Sequence, residues 1–207
     1  MRSSHRNWEG VRSPAEVLEA ALLERRRTRL AAIERRLRLE AAESKLCDML
    51  GGGHRGRIEG LAAPFISDSV LISHRDGAFI EQFAPGAFAH SIAEAAGGRG
   101  DIFVTWDHLD HIVCGSTASR SLRLWEGRDG LRFVLTPEVT NRAGQLALRS
   151  EWCGVSVKFS SSRYDWRSAA VRRRIVFEAR LIEISLISRG RQPAYAATWA
   201  TVRTAGS

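Results

Sequence analysis

Ser156, His108 and a small set of carboxylates are the residues whose types could do acyl-transfer chemistry. Ser156 stands in Gly154-Val155-Ser156-Val157-Lys158-Phe159, two residues after a glycine, inside an apolar run from Leu146 to Phe159 that reads as a strand. A serine hydroxyl becomes a nucleophile only with a base in reach and a third group to orient that base. The chain has six histidines, His5, His54, His74, His90, His108 and His111, and none beyond position 111. His108 is the best placed, because Ile102 to Trp106 reads as a buried strand that leads straight to it. Imidazole, with an ordinary pKa of about 6.5, suits general-base work near neutral pH. Three residues could supply the third group: Asp110, His111, and Glu183, the single acid of Leu181-Ile182-Glu183-Ile184-Ser185-Leu186. Spacing alone does not rank them.

The Asp107-His108-Leu109-Asp110-His111 cluster also invites a metal. It is one residue short of the HxHxDH zinc pattern of metallo-β-lactamase-like hydrolases, with Trp106 in place of the first histidine. That pattern needs further histidines downstream, which this chain lacks. A metal-dependent hydrolase using Asp107 to His111 therefore stands as an alternative, and otherwise neither a metal nor another cofactor is expected. A non-catalytic assembly or nucleic-acid-binding protein is the third class.

The elements that must position these residues follow from patterning. Residues 1–12 read as a disordered tail. Ser13-Pro14-Ala15-Glu16 is a helix start, with serine as cap and proline in the first turn. From there to Leu50 neither glycine nor a further proline occurs, which predicts a long helix over 13–50. Its seven arginines between Arg25 and Arg38 make it basic, either a solvated face or a docking arm. Gly51-Gly52-Gly53 breaks it, so 51–57 reads as a linker, 58–200 as the folded domain, and 201–207 as a tail.

Within the domain, strands are expected at 58–65, 70–73, 79–83, 102–106, 121–125, 131–135, 146–159 and 175–187. A short helix starts at Pro85 and ends at Gly97-Gly98. The arginine-rich stretch from Ser160 to Arg174 reads as a loop. Many short strands with few helices predict an α+β, mainly β fold: a barrel or sandwich with flanking helices.

Bulk properties narrow the class. The chain of 207 residues is 44% hydrophobic and 26% charged, as in soluble globular proteins. It lacks the run of about 18 apolar residues that a membrane span needs. No apolar core follows Met1, so secretion is not expected. Cys47, Cys114 and Cys153 form no CxxC pair and read as reduced thiols. The net charge of +8 suits nucleic acid or acidic protein partners alike. No nucleic-acid module motif is present, so nucleic acid is not expected as a specific partner.

Five ordered blocks between about 57 and 198 resemble the prohead maturation proteases of tailed phages. They are Gly60 to Phe65; Phe79-Ile80-Glu81-Gln82-Phe83-Ala84-Pro85-Gly86-Ala87-Phe88; Asp107-His108-Leu109 with Cys114-Gly115-Ser116-Thr117; Gly154 to Phe159; and Glu183-Ile184-Ser185-Leu186-Ile187 with Pro193-Ala194-Tyr195. Asp107 replaces the usual asparagine, Leu109 the usual aspartate, and Lys158 the usual glycine. The family is similar in turn to the herpesvirus assembly proteases, which implies a closed or partly closed β-barrel ringed by helices. In those enzymes a Gly-Arg pair follows the third member by seven and eight residues, as Gly190-Arg191 follows Glu183. The resemblance thus implies a triad of Ser156, His108 and Glu183, with Arg191 helping to hold the oxyanion. It also implies the major capsid protein with its scaffold segment as substrate, autocleavage, and dimerisation. The place of action would be the assembling prohead in the host cytoplasm. The 13–50 helix is expected to recruit the enzyme to scaffold by helix pairing.

Overall fold

The computed structural model describes residues 56–73, 76–167, 172–195 and 197–204. The expected tail 1–12, the helix 13–50 and residues 51–55 of the expected linker lie outside them. Ten strands and two helices follow in order: β1 (Gly56–Pro64), β2 (Ser69–Ser73), β3 (Gly77–Phe83), α1 (Ala89–Ala96), β4 (Phe103–Trp106), β5 (Leu109–Ser116), β6 (Leu122–Glu126), β7 (Gly130–Leu135), α2 (Arg142–Ala147), β8 (Trp152–Arg167), β9 (Arg173–Ser188) and β10 (Trp199–Thr204). None of the described helices is long and apolar enough to cross a membrane.

Two sheets result. The first runs β10-β1-β7-β6; the second runs β2-β3-β9-β4-β5, with β8 also on β9. A mainly β fold is therefore present, but the described residues do not form the closed barrel. Closure would need a backbone ladder joining the sheets. Both edges of β9 are taken, by β8 along one side and by β3 and β4 along the other. The backbone bridges the two sheets where Phe65, just past β1, pairs with Phe83 of β3, the Ile66 N–H donating to the Phe83 carbonyl at 3.0 Å. Elsewhere they meet through side chains, where Ile58, Leu122, Phe133 and Leu135 share one buried cluster with Phe83, Val104, Val155, Ile184 and Leu186. α1 covers the second sheet, and its buried Ser91 both accepts from the Leu181 N–H and donates to the Leu181 carbonyl.

Other elements depart from the sequence expectation for identifiable reasons. The segment 160–174 is not a loop over most of its length: β8 continues to Arg167, and β9 begins at Arg173. Much of its β8 portion is exposed, and its apolar alternation is confined to Tyr164 and Trp166 among arginines and an aspartate, too short a run to read as a half-buried strand. Side-chain stacking supports it instead, with Arg172 4.3 Å from the Trp166 ring centre and Trp166 edge-on to Phe79. Leu146 opens no strand. Asn141 caps α2 by accepting the Gly144 N–H at 2.8 Å, which gives Leu146 to the helix and delays β8 to Trp152. Residues 201–204, assigned to a tail on sequence, lie in β10 and pair with β1.

Candidate active site

β9 is the strand on which the site is assembled. Ser185 stands near its C-terminal end, directly opposite Ser156 of β8 on one side and Thr105 of β4 on the other. Glu183, two residues earlier and so on the same face, stands opposite Lys158. Ser156, Lys158, Glu183 and Ser185 thus come together by register alone.

His108 arrives by a tight turn. β4 and β5 pair at Trp106 and Leu109, leaving Asp107 and His108 as a two-residue hairpin loop. Both have positive φ, 52° and 59°. Two-residue hairpins favour this geometry, and aspartate and asparagine tolerate it better than most residues. The strain at a non-glycine pair is of order 1–3 kcal/mol per residue and needs support from its surroundings. That support is present. The Asp107 N–H donates to the Leu186 carbonyl at 2.9 Å, and the His108 N–H to Ser185 Oγ at 2.6 Å. The buried Asp107 carboxylate accepts from the Ser188 N–H and hydroxyl and pairs with Arg191 at 3.1 Å.

The imidazole then meets Glu183, with Nδ1 2.9 Å from Oε1. Thr105 donates to the same oxygen at 2.5 Å. Burial pushes the Glu183 carboxyl up, but the hydrogen bonds from His108 and Thr105, with the charges of His108 and Lys158, outweigh it and hold the group below its ordinary value. An ionised Glu183 accepts from Nδ1–H and leaves Nε2 as the ring's proton acceptor. The other candidates for this position are not bonded to the ring. Asp110 pairs with Lys158 at 3.3 Å, and His111 is exposed on β5.

Ser156 is 3% exposed, and its Oγ accepts the Ala194 N–H at 3.0 Å. Gly154 explains how the 193–198 segment comes so close. It shares a face of β8 with Ser156, and a Cβ there would lie 2.7 Å from Pro193 and 3.0 Å from Thr198 Oγ1. Thr198 in turn accepts the Val155 N–H at 3.1 Å, and the Tyr195 hydroxyl donates to the fully buried Glu81 at 2.6 Å. Arg174 closes the second oxygen of Glu81. Ser156 and His108 are not hydrogen-bonded to each other, and Nη1 of Arg191 is bonded to the turn that carries His108.

A groove of about 890 Å³ opens beside this assembly, lined by His108, Ala194, Tyr195 and the run Val157 to Ser161. Its further lining by Leu71 of β2, Glu81 of β3, Tyr164 and Trp166 of β8 and Arg174 of β9 carries it across the second sheet.

The metal cluster suggested by sequence does not converge. Asp107, His108 and Asp110 are engaged by Arg191, Glu183 and Lys158 respectively, and the described residues hold no group of three or more histidine, cysteine or acidic side chains fit to bind an ion. Sequence reasoning missed Thr105, Ser185 and the Ala194 N–H. The first two had a signal, as polar residues at alternate positions of otherwise apolar strands; a backbone donor has none.

A family model described as Caudovirus prohead serine protease matches residues 46–206. Neither the curated proteins nor the solved structures provide a match.

Proposed function

Since the chain belongs to the caudovirus prohead serine protease family, a serine-type endopeptidase of phage head maturation whose substrate is capsid protein, we propose that Ser156 is its nucleophile, His108 its base and Glu183 the group that orients the base. The observation that carries this reading is the Glu183–His108 contact at 2.9 Å, on the strand that also holds Ser156 in register. A peptide chain enters the groove past His108 and the run Val157 to Ser161. The Ser156 oxygen, held by Ala194, turns its proton to His108 Nε2 as it attacks the scissile carbonyl. Hydrogen bonds of this kind are often unformed before substrate binds. His108 then hands the proton to the leaving amine. In the second half it activates water against the acyl-enzyme, which releases the new carboxyl end and restores Ser156.

The oxyanion falls to the segment from Arg191 to Ala194. The Ala194 N–H is already on Ser156, and Arg191 couples this segment to the His108 turn. A single oxyanion donor is typically worth about 3–4 kcal/mol in the transition state. The finer biology follows the same reading: cleavage of the scaffold segment of the major capsid protein, autocleavage, action as a dimer inside the assembling prohead in the host cytoplasm, and recruitment through residues 13–50. The kinship with herpesvirus assembly proteases rests on the Glu183 to Gly190-Arg191 spacing.

An organophosphorus fluoride that phosphorylates activated serines tests the assignment. One adduct on the Ser156 peptide, absent when His108 is replaced by alanine, is expected. Labelling at another serine, or none in an enzyme that cleaves capsid protein, contradicts it.

A further inference from the structure

Glu183 divides its two oxygens. Oε1 takes His108 and Thr105. Oε2 faces the ammonium of Lys158 at 3.9 Å, and that ammonium is held from the other side by Asp110 at 3.3 Å. The arrangement follows from the fold, because Lys158 is the cross-strand partner of Glu183 and Asp110 lies two residues past His108 on β5.

A carboxylate held against an imidazole favours the imidazolium. That helps the transition state, but a ring already protonated cannot take the serine proton. A cation on the second oxygen offsets part of the carboxylate's pull without disturbing the bond that fixes the tautomer. We propose that Lys158 is a positioning residue which, against the opposing charge of Asp110, sets the pH at which His108 becomes the free base. This rests on the assignment of Ser156, His108 and Glu183 given above.

The charged surroundings of His108 are few enough to specify. From β9 comes Glu183, from β8 Lys158, and from β5 Asp110 and the exposed His111. Asp107, in the same turn, pairs with Arg191. Farther along the groove Glu81 is closed by Arg174 and Tyr195, and Asp76 also lines the wall. Removing the Lys158 charge leaves Glu183 and Asp110 uncompensated, so the imidazole becomes more basic. Removing the Asp110 charge does the opposite. The lysine side chain is half exposed, so solvent and salt weaken its field, and the expected shift is about half to one pH unit.

The test uses the full chain and two readouts. In the Ser156→Ala protein, the His108 ring is titrated by NMR, its signal assigned by its loss in His108→Asn. In the active protein, capsid-protein cleavage gives the pH profile of kcat/KM. Lys158→Met should raise the ring pKa and move the acid limb of the profile upward by about half to one unit, while Lys158→Arg restores both. Asp110→Asn should move both downward. A merely structural role for Lys158 would lower activity at every pH and leave the acid limb in place. An unmoved or lowered ring pKa in Lys158→Met overturns the proposal. If that variant does not fold, an unmoved or lowered ring pKa in Lys158→Gln does so. Loss of cleavage in Ser156→Ala, together with an unmoved limb in Lys158→Met, sinks the role of Lys158 alone. Cleavage that survives Ser156→Ala removes both readings.

Discussion

His108 Nδ1 and Glu183 Oε1 stand 2.9 Å apart although the residues belong to different strands of chain, one in the β4–β5 turn and one on β9. The contact is built twice over. The parallel pairing of β4 with β9 brings the strands together, and Ser185, two residues from Glu183, receives the His108 N–H. Replacing Glu183 with glutamine keeps the shape but removes the charge that stabilises the imidazolium. Cleavage of capsid protein should fall by about 10³–10⁴-fold in kcat, whereas Asp110→Asn should lose far less. Equal losses in the two variants would move the third position to Asp110.

The same carboxylate carries a pH signature in stability. Its pKa is held below the ordinary glutamate value, so its stabilising contribution is full above that ordinary value, about 4.3, and is lost as pH falls through the lower folded value. Thermal unfolding of wild type and Glu183→Gln should differ most near neutral pH. The difference should shrink at pH 3 and below. A gap that widens with acid would contradict the assigned direction.

Gly154 should tolerate no side chain. Its Cβ would lie 2.7 Å from the Pro193 ring, and a neighbour at that distance must shift. Gly154→Ala should cost about 1–3 kcal/mol in denaturant unfolding, and it should also displace the Ala194 N–H from Ser156. Activity should therefore fall by more than the loss of folded protein explains.

Tyr195 and Glu81 form a buried pair at the base of the same segment. Burial pushes the Tyr195 hydroxyl well above the ordinary tyrosine range, with the charge of Glu81 acting in the same sense. Tyr195→Phe takes a donor from a carboxylate that has no solvent to turn to, at a cost of about 1–3 kcal/mol. Chemical denaturation checks this value, and a neutral effect would show that Arg174 alone satisfies Glu81.

Cys114 offers a check on the core. It is fully buried, and burial pushes its thiol up to about 12. Peptide mapping after alkylation at pH 8 should find Cys114 unmodified in the native protein and modified in denaturant. Native-state labelling at Cys114 would mean that β5 is not packed as described.

The candidate site was more legible than the fold around it. Ser156, His108 and Glu183 are side chains of distinctive type in distinctive blocks, so they could be nominated from the chain alone. Their mutual placement could not, because it depends on β9 pairing in parallel with β4 and antiparallel with β8, and a strand's residue pattern does not state its partner. The Asp107-His108 turn was hidden for a local reason: a two-residue hairpin usually announces itself with glycine, and here neither residue is one. The strand residues 160–167 were hidden by their wet faces. Lys158 stood out on sequence only as a departure from glycine. Its meaning came from its register opposite Glu183.

The most direct test of the central assignment is co-expression of the capsid protein with the wild-type chain or with Ser156→Ala, read by intact mass. The account predicts truncated capsid protein with the wild type and only full-length capsid protein with the variant. Truncation that persists with Ser156→Ala would contradict it.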